Sequence, residues 1–305
     1  MAEPYTVYRR RIEEHRVPGR KLGRHVHHDS RSLAYLWPAT GSQADVIHQR
    51  RIPVLDQGDV GSCTGNAETG AIGTDPLYPA LPAGHPALGE PEALRLYSAA
   101  EVIDGNGKYP PNDDGSSGLS VAKAAKAAGL ISGYQHATSV QAMISALQQY
   151  PVIIGISWYD SFDDPDSEGL IRIAKGAQVR GGHEVEVIGW SSTSNLFTAV
   201  NSWGTGWGVN GTFLFSADTM TRLFSEEGDC TVSLPLTVPA PTPTPVPVPP
   251  APVPPGPDTD PADVALADAQ TAWAWYRHVG ENRKAALASQ AWLQEKGFVT
   301  PPSGG

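Results

Sequence analysis

The chain reads Gln57-Gly-Asp-Val-Gly-Ser-Cys63-Thr-Gly-Asn-Ala67 where a loop is predicted to pass into a helix. A thiol at a helix N-terminus lies at the positive end of the helix dipole, which lowers its pKa and favours the nucleophilic thiolate. Such a cysteine also needs a base, and the base needs a group that orients it. The pattern therefore predicts a histidine and an orienting polar side chain further along the chain.

Two later stretches supply candidates for these roles. They read Gly181-Gly-His183-Glu-Val-Glu-Val-Ile-Gly-Trp190 and Val200-Asn201-Ser-Trp203-Gly-Thr-Gly-Trp-Gly208. In a nucleophilic mechanism Cys63 attacks a carbonyl carbon, His183 accepts its proton, and Asn201 orients the imidazole. The Gln57 amide and the Cys63 backbone N–H would form an oxyanion hole. Trp203 would shield the bond between Asn201 and His183 from water, where a low dielectric strengthens it.

The amino-acid composition argues against several classes of protein. The 305 residues are 40% hydrophobic, enough for one sizeable core. A formal net charge of −10 argues against a nucleic-acid partner. The sequence contains no apolar run of about 18 residues, so we expect no membrane span. The first eleven residues lack the apolar core of a signal peptide, which makes the cytoplasm the default location.

The cysteine count bears on the compartment. Only Cys63 and Cys230 are present, so a nucleophilic Cys63 leaves no pair for a disulfide framework. This usage is compatible with a reducing compartment but does not establish one. The cytoplasm is therefore the default prediction, and association with a virion is the alternative.

Residues 1–45 are polar and are predicted to form an irregular, solvated arm. A contact with an anionic surface, a metal site and a short inhibitory leader are the alternatives. Basic and histidine side chains cluster there: Arg9, Arg10, Arg11, Arg16, Arg20, Lys21, Arg24, His25, His27 and His28. Metal sites normally need ligands from more than one short tract, so we predict no metal.

Residues 46–235 carry the patterns of a folded domain. Helices are predicted near 63, over 92–104, 119–128 and 140–150, and strands over 151–157, 170–173, 184–188, 197–200 and 212–215. The first half is mainly helical and the second half is rich in strands. A helical lobe followed by a β lobe is an α+β arrangement.

The C-terminal part differs in composition. Residues 239–257 contain eleven prolines, which predicts a semi-rigid polyproline linker over 236–258. Two helices, over 261–279 and 282–296, are then predicted to form a hairpin over 259–297, followed by a tail at 298–305. This hairpin either presents aromatic side chains to a protein or cell-wall partner or buries them internally.

Together these stretches resemble the papain-like cysteine peptidases. Gln57-Gly with Gly61-Ser-Cys63 is similar to the nucleophile motif of that family, Gly182-His183 to its histidine strand, and Asn201-Ser-Trp-Gly-Thr-Gly-Trp-Gly208 to its asparagine motif. The resemblance covers roughly residues 45–234 and is strongest to compact bacterial and viral members. It implies a two-lobed fold with the active site in the cleft, catalytic Cys63, His183, Asn201 and Gln57 supported by Trp203, and no cofactor.

Three positions depart from the family pattern. Asp59-Val60 stand where a cysteine is usual, Thr64 replaces an aromatic residue, and Glu184 follows the histidine where a small residue is commoner. None of these changes removes a catalytic group. We expect them to affect the shape of the substrate pocket and the pH optimum, with a carboxylate close to the catalytic pair.

The function predicted from the sequence is hydrolysis of peptide bonds in a peptide or protein substrate by a thiol protease. One alternative is a cell-wall amidase or peptidoglycan endopeptidase, and another is a virion-associated peptidase, each targeted by the C-terminal hairpin. A catalytically silent scaffold of the same fold is a third alternative. The intact set of Gln57, Cys63, His183 and Asn201 argues against it.

Overall fold

The fold is given by a computed structural model that describes residues 5–40 and 43–236. The predictions for the Pro-rich linker from residue 237 onward, the hairpin and the tail lie outside the described residues. Among the residues that are described, no helix is long and apolar enough to cross a membrane.

Helices and strands occupy most of the described chain. The helices are α1 (Cys63–Ile72), α2 (Glu90–Asp104), α3 (Gly118–Ala127), α4 (Val140–Leu147) and α5 (Ala217–Ser225). The strands are β1 (Val7–Arg11), β2 (His25–Asp29), β3 (Val46–Ile47), β4 (Gly133–His136), β5 (Val152–Tyr159), β6 (Val179–Ser191), β7 (Leu196–Val200), β8 (Thr212–Ser216) and β9 (Asp229–Leu234). The predicted α+β class is confirmed.

Local sequence signals determine where several helices begin and end. Serine side chains cap α3, α4 and α5 by accepting from the backbone N–H three residues later, and these caps are Ser117, Ser139 and Ser216. Each bond satisfies an N–H group that the helix itself cannot pair. Gly105, with φ +83°, ends α2 in the left-handed conformation that glycine adopts readily.

The α1 helix is buried along its whole length. All ten of its residues are buried, so the helix lies in the centre of the domain. A Cβ added at Gly65 would lie 2.1 Å from the Ala93 carbonyl oxygen of α2. The glycine lowers helix propensity but allows two helices to approach closely at this point.

The main sheet follows the strand order β4-β9-β5-β6-β7-β8, with β3 added beside β6. Its paired strands are antiparallel. Every residue of β5 is buried because its two faces contact different cores: Ile153 packs with the helical lobe, and Ile154 packs within the sheet lobe. A strand covered on both faces reads as a continuous apolar run, which is how this segment was recognised in the sequence.

Most predicted elements agree with the structure to within a few residues. The strand expected over 170–173 is wrong, because only a single bridge between Leu170 and Leu214 forms there. The strands β3, β4 and β9 and the helix α5 were not predicted. The segment that became β9 shows no clear alternation, since four of its six residues are buried.

The N-terminal region differs most from the prediction. Instead of an irregular solvated arm, residues 7–11 and 25–29 form the antiparallel pair β1 and β2. Leu22, Arg24 and Val26 are each at most 2% exposed. The prediction was wrong because the polar residues here are paired with distant parts of the domain. His27, for example, lies 3.3 Å from an Asp104 carboxylate oxygen.

Candidate active site

Cys63 is the first residue of α1, as the sequence predicted. Ser62 precedes it in a non-helical conformation, and the Ser62 hydroxyl donates to Asn66 Oδ1 at 2.9 Å. The thiol therefore lies at the end of a buried helix where backbone N–H groups have no partner within the helix. This placement directs the helix dipole at the sulfur.

His183 lies on β6, opposite Ile156 of β5, and faces the end of β7. Its Nε2 is 2.8 Å from Asn201 Oδ1, and the same oxygen accepts from the Ser202 N–H at 2.8 Å. Because Oδ1 can only accept, the proton of the neutral imidazole is on Nε2. Nδ1 has no hydrogen-bond partner among the described residues, so its lone pair is available.

The thiol and the imidazole come from elements that meet at this point. The Cys63 sulfur interacts with the backbone of Glu184, the residue that follows His183 on β6. The structure therefore brings together three of the residues that the sequence singled out, from α1, β6 and the end of β7.

Tryptophan rings enclose the His183 side chain. Trp203 stacks on it with ring centroids 4.9 Å apart and an angle of 25° between the planes. Trp158 meets it edge-on at 4.8 Å. Both tryptophans are buried, so the hydrogen bond to Asn201 is kept from water. Trp158 was missed from the sequence because the predicted strand ended one residue before it.

Gln57 is held firmly beside the same residues. Its Oε1 accepts from the Ser202 hydroxyl at 2.5 Å, and its Nε2 donates to the Val60 carbonyl at 2.8 Å. The second N–H of the amide donates to the carbonyl oxygen of Lys21 at 2.9 Å. The Gln57 amide is therefore held in place, and one of its N–H groups binds a carbonyl group of the N-terminal region.

A family model described as papain family cysteine protease matches residues 90–233. Residues 90–233 thus belong to the papain family. An uncharacterized peptidase C1-like protein of Acanthamoeba polyphaga mimivirus is 34% identical over 70 residues, which is 22% of this chain and 22% of that protein. A cathepsin B-like cysteine proteinase 6 of Caenorhabditis elegans is 33% identical over 85 residues, 27% of this chain and 22% of that protein. The matched segments thus span about a fifth of the length of these relatives.

A solved structure extends the likeness to the fold as a whole. Xylellain, a cysteine protease from Xylella fastidiosa, superimposes with a TM-score of 0.52 at 20% sequence identity. The superposition covers 75% of this chain and 99% of that one. The two-lobed papain-like fold predicted for this chain is therefore confirmed.

In this papain-like fold the cleft is filled by the chain itself. Residues 20–25, called the cleft segment below, pass between the two lobes. On one side the N–H of Gly23 donates to Gly182 O at 3.2 Å. On the other side Gly23 O accepts from the Ser116 N–H at 2.9 Å, and the His25 N–H donates to Ser116 O at 2.7 Å. The segment therefore bridges the lobes as an added extended chain.

The cleft segment approaches the nucleophile closely. A Cβ added at Gly23 would lie 2.1 Å from the Gly61 carbonyl oxygen, so only glycine fits here. The backbone of Gly23 also interacts with the Cys63 sulfur. The space beside the Cys63 sulfur is therefore occupied by the chain itself.

Burial beneath the cleft segment alters both titrating groups. Burial raises the pKa of the Cys63 thiol to about 12, and the nearby Glu184 carboxyl adds to this shift, against hydrogen bonds from the backbone. Burial lowers the pKa of His183 to about 3, and Arg180 adds to this shift against the bond to Asn201. The lowered thiol pKa expected from the helix dipole is therefore wrong for this covered state, because desolvation outweighs the dipole.

The histidines of the N-terminal region were the candidate ligands for the metal site considered from the sequence. Within residues 5–40 and 43–236, no group of three or more His, Cys, Asp or Glu side chains could hold a metal ion. The histidines of the N-terminal region are used in protein contacts instead: His25 Nε2 lies 2.6 Å from Asp114 O, and His27 Nδ1 lies 3.1 Å from Ser117 Oγ.

Proposed function

We propose that this chain is a cysteine peptidase that hydrolyses peptide bonds through an acyl-enzyme on Cys63. The observation that carries the proposal is the hydrogen bonding and packing of the His183 imidazole. Asn201 and the tryptophan rings hold this imidazole with its protonated nitrogen occupied and its basic nitrogen free, on a strand whose next residue contacts the thiol. Such an orienting group is what a nucleophile–base pair requires.

The proposed chemistry begins with acylation of the thiol. His183 Nδ1 accepts the Cys63 proton as the sulfur attacks the carbonyl carbon of the substrate. The Gln57 side-chain N–H and the Cys63 backbone N–H donate to the oxyanion that forms. As the C–N bond breaks, the His183 imidazolium gives its proton to the leaving amine.

Deacylation repeats these steps with water as the nucleophile. His183 accepts a proton from water, the hydroxyl attacks the thioester carbon, and the carboxylic acid product leaves as the sulfur regains its proton. Every atom and proton is supplied by the chain, the substrate and water, so no cofactor is required.

We further propose that the covered form is inactive. Gly23 occupies the space beside the thiol, and one Gln57 N–H that would bind the oxyanion is bonded to Lys21 O. Displacing the cleft segment would admit water and substrate, which removes much of the desolvation that keeps thiol and imidazole neutral. The short inhibitory leader considered for residues 1–45 is thus the alternative that these contacts support.

The test is peptide turnover by the full chain and by a variant with a weakened cleft segment, Arg24→Ala. A proteome-derived peptide digest serves as substrate, and purified cell walls are assayed in parallel. We expect Arg24→Ala to cleave peptides, and adding Cys63→Ala to reduce turnover by about 10⁴-fold or more. Cys230→Ala is the matched control, because Cys230 is also buried but lies on β9.

Two outcomes would contradict the proposal. Unchanged turnover after Cys63→Ala would show that another group breaks the bond. Release of cell-wall fragments without cleavage of any peptide would point instead to the cell-wall amidase alternative.

A further inference from the structure

Arg24 of the cleft segment enters an acidic pocket next to the proposed active site. Its side chain is fully buried, with a relative exposure of 0%. One terminal nitrogen, Nη2, is paired with the Asp229 carboxylate and donates to Glu227 O at 2.6 Å. The Glu184 carboxyl, also fully buried, lies beside the same guanidinium. Two carboxyl groups thus face one arginine, and of the three side chains only that of Asp229 is partly exposed, at 16%.

Two glycines create the space for these groups. A Cβ at Gly155 would lie 2.5 Å from Arg24 Nε and 2.8 Å from both Asp229 Oδ2 and Glu184 Oε2. A Cβ at Gly118 would lie 2.6 Å from Glu184 Oε1. Any larger residue at either position would therefore fill the room that the guanidinium and the carboxyl groups occupy. The pocket is shaped for charged groups.

Arg24 does not use all of the hydrogen-bonding capacity of the pocket. Within the described chain, both Glu184 oxygens and Asp229 Oδ1 have no hydrogen-bond partner, and neither do Arg24 Nε and Nη1. Buried polar atoms are normally paired, so these atoms are an exception in a well-packed region. A basic side chain entering from a different direction could satisfy the acceptors that Arg24 leaves free.

Along the chain, residues of the pocket directly follow residues of the proposed active site or residues that contact it. Gly23, which precedes Arg24, lies against Gly61 and the Cys63 sulfur, and Glu184 follows His183 directly. A peptide that takes the place of the cleft segment therefore brings a side chain near the cleaved bond into the same pocket.

We propose that this pocket selects an arginine or lysine side chain of the substrate, at one position within two residues of the cleaved bond. Asp229 and Glu184 are the specificity-determining residues. This inference rests on the proposed peptidase function. An apolar side chain would leave the carboxyl groups buried without a cation, and such unpaired groups reject a substrate more strongly than a mismatch in shape does. In the covered form Arg24 imitates that basic side chain.

The experiment uses the full chain carrying Arg24→Ala, so that the pocket is free. Matched fluorogenic peptides place arginine, lysine or norleucine at each of the four positions around the cleaved bond. At one position we expect kcat/KM for arginine to exceed that for norleucine by about 30-fold, the range for a buried charge pair. Adding Asp229→Asn should reduce this ratio to about threefold or less, since one charge of the pair is lost.

Control variants distinguish an effect of the pocket from a general effect of removing a carboxylate. Asp218→Asn neutralises an exposed carboxylate on α5 and should leave the arginine preference unchanged. Glu184→Gln should weaken the preference less than Asp229→Asn, because Asp229 makes the direct contact with Arg24. Cleavage of the peptides with no basic preference at any position would overturn the pocket while leaving the peptidase function intact.

A second measurement does not depend on turnover. N-ethylguanidinium, a small arginine side-chain mimic, should raise the Tm of Arg24→Ala by several degrees at millimolar concentration, because it binds the folded pocket. In the double variant Arg24→Ala/Asp229→Asn, the same compound should raise the Tm by no more than it does in the parent chain. Equal shifts in these proteins would overturn the pocket. Failure of all peptides to be cleaved, together with a selective Tm shift, would overturn the peptidase function alone.

Discussion

Glu184 and Glu186 lie two residues apart on β6, are both fully buried, and each face an arginine. Glu186 is paired with Arg50 and also accepts from the Thr74 hydroxyl at 2.5 Å, so both of its oxygens are bonded. Glu184 lies beside Arg24 with neither oxygen in a hydrogen bond among the described residues. Alternate residues of a strand share one face, so the two carboxyl groups have similar surroundings but different partners.

The difference lies in where the arginine comes from. Arg50 belongs to the body of the domain and also donates to the carbonyl groups of Ile52 and Pro53. Arg24 belongs to the cleft segment, which the domain must release if it is to bind a substrate. A buried pair that is fully bonded specifies the fold, whereas a pair with unused atoms can exchange its cation. Four predictions test this contrast, from the largest expected effect to the smallest.

Breaking the pair between Glu186 and Arg50 should have the largest effect. Glu186→Ala leaves Arg50 largely buried without its carboxylate, since the Arg50 side chain is 12% exposed. We expect the free energy of unfolding to fall by about 3–5 kcal/mol, as for other broken buried pairs. Urea denaturation measures this loss. A loss below about 1 kcal/mol would mean that the pair does not support the fold.

Glu68, which pairs with no arginine among the described residues, provides the second test. Burial raises the pKa of Glu68 on α1 to about 7, the nearby Glu186 adds to this shift, and a hydrogen bond from Ser233 opposes it. Between the ordinary carboxyl pKa and about 7, the folded state therefore keeps a proton that the unfolded state has already released. The stability linked to this proton is present below the ordinary carboxyl pKa and is lost as pH rises through about 7.

Replacing this acid by its amide should remove the loss. Relative to the parent chain, Glu68→Gln should gain roughly 3 kcal/mol of stability between pH 4 and pH 8. Unfolding curves of both proteins across this range provide the measurement. A parent chain that gains stability relative to the variant as pH rises would contradict the assignment.

Removing the arginine of the cleft segment should affect activity. Arg24→Ala weakens the hold of the cleft segment, and we expect peptide turnover by the full chain to rise about tenfold or more, as for a shift of about 1.4 kcal/mol in a closed–open equilibrium. Arg10→Ala is the control, because Arg10 pairs with Glu227 at a partly exposed position. Exposed pairs contribute little, so its effect should stay below about twofold. Equal activation by both variants would remove the special role of Arg24.

The smallest change in stability is expected at Glu184. Burial and the neighbouring Asp229 raise its pKa well above the ordinary carboxyl value. Glu184→Gln keeps the shape of the side chain, and neither carboxyl oxygen makes a hydrogen bond among the described residues that the change would break. We expect the free energy of unfolding to change by less than about 1 kcal/mol. A loss as large as that of Glu186→Ala would make Glu184 a structural residue as well.

Local patterns were sufficient to predict the elements that carry the site. The helix starting at Cys63, the buried strand before Trp158 and the strand around His183 were recognised from glycine, proline and apolar spacing. These signals are local because each depends on residues close in sequence. The catalytic roles of Cys63, His183, Asn201 and Gln57 remain predictions, which the proposed experiments address.

The role of the N-terminal region could not be predicted in this way. Arg24 and Asp229 are 205 residues apart, and nothing in the local sequence of either residue identifies the other. A run of arginines and histidines has the composition of a solvated arm. Only the fold shows that several of these charges are paired with distant carboxylates, as Arg24 is with Asp229. Polar residues that are buried through distant partners are invisible to hydrophobic patterning.

The central claim is that Cys63 is a reactive thiol covered by the cleft segment. Labelling by a thiol-directed epoxide, followed by mass spectrometry of the intact and digested protein, tests it directly. We expect Arg24→Ala to be labelled at Cys63 about tenfold faster than the parent chain, with Cys230 unlabelled in both as an internal control. Equal labelling rates of Cys63 in the two proteins, or labelling of Cys230 instead, would contradict the claim.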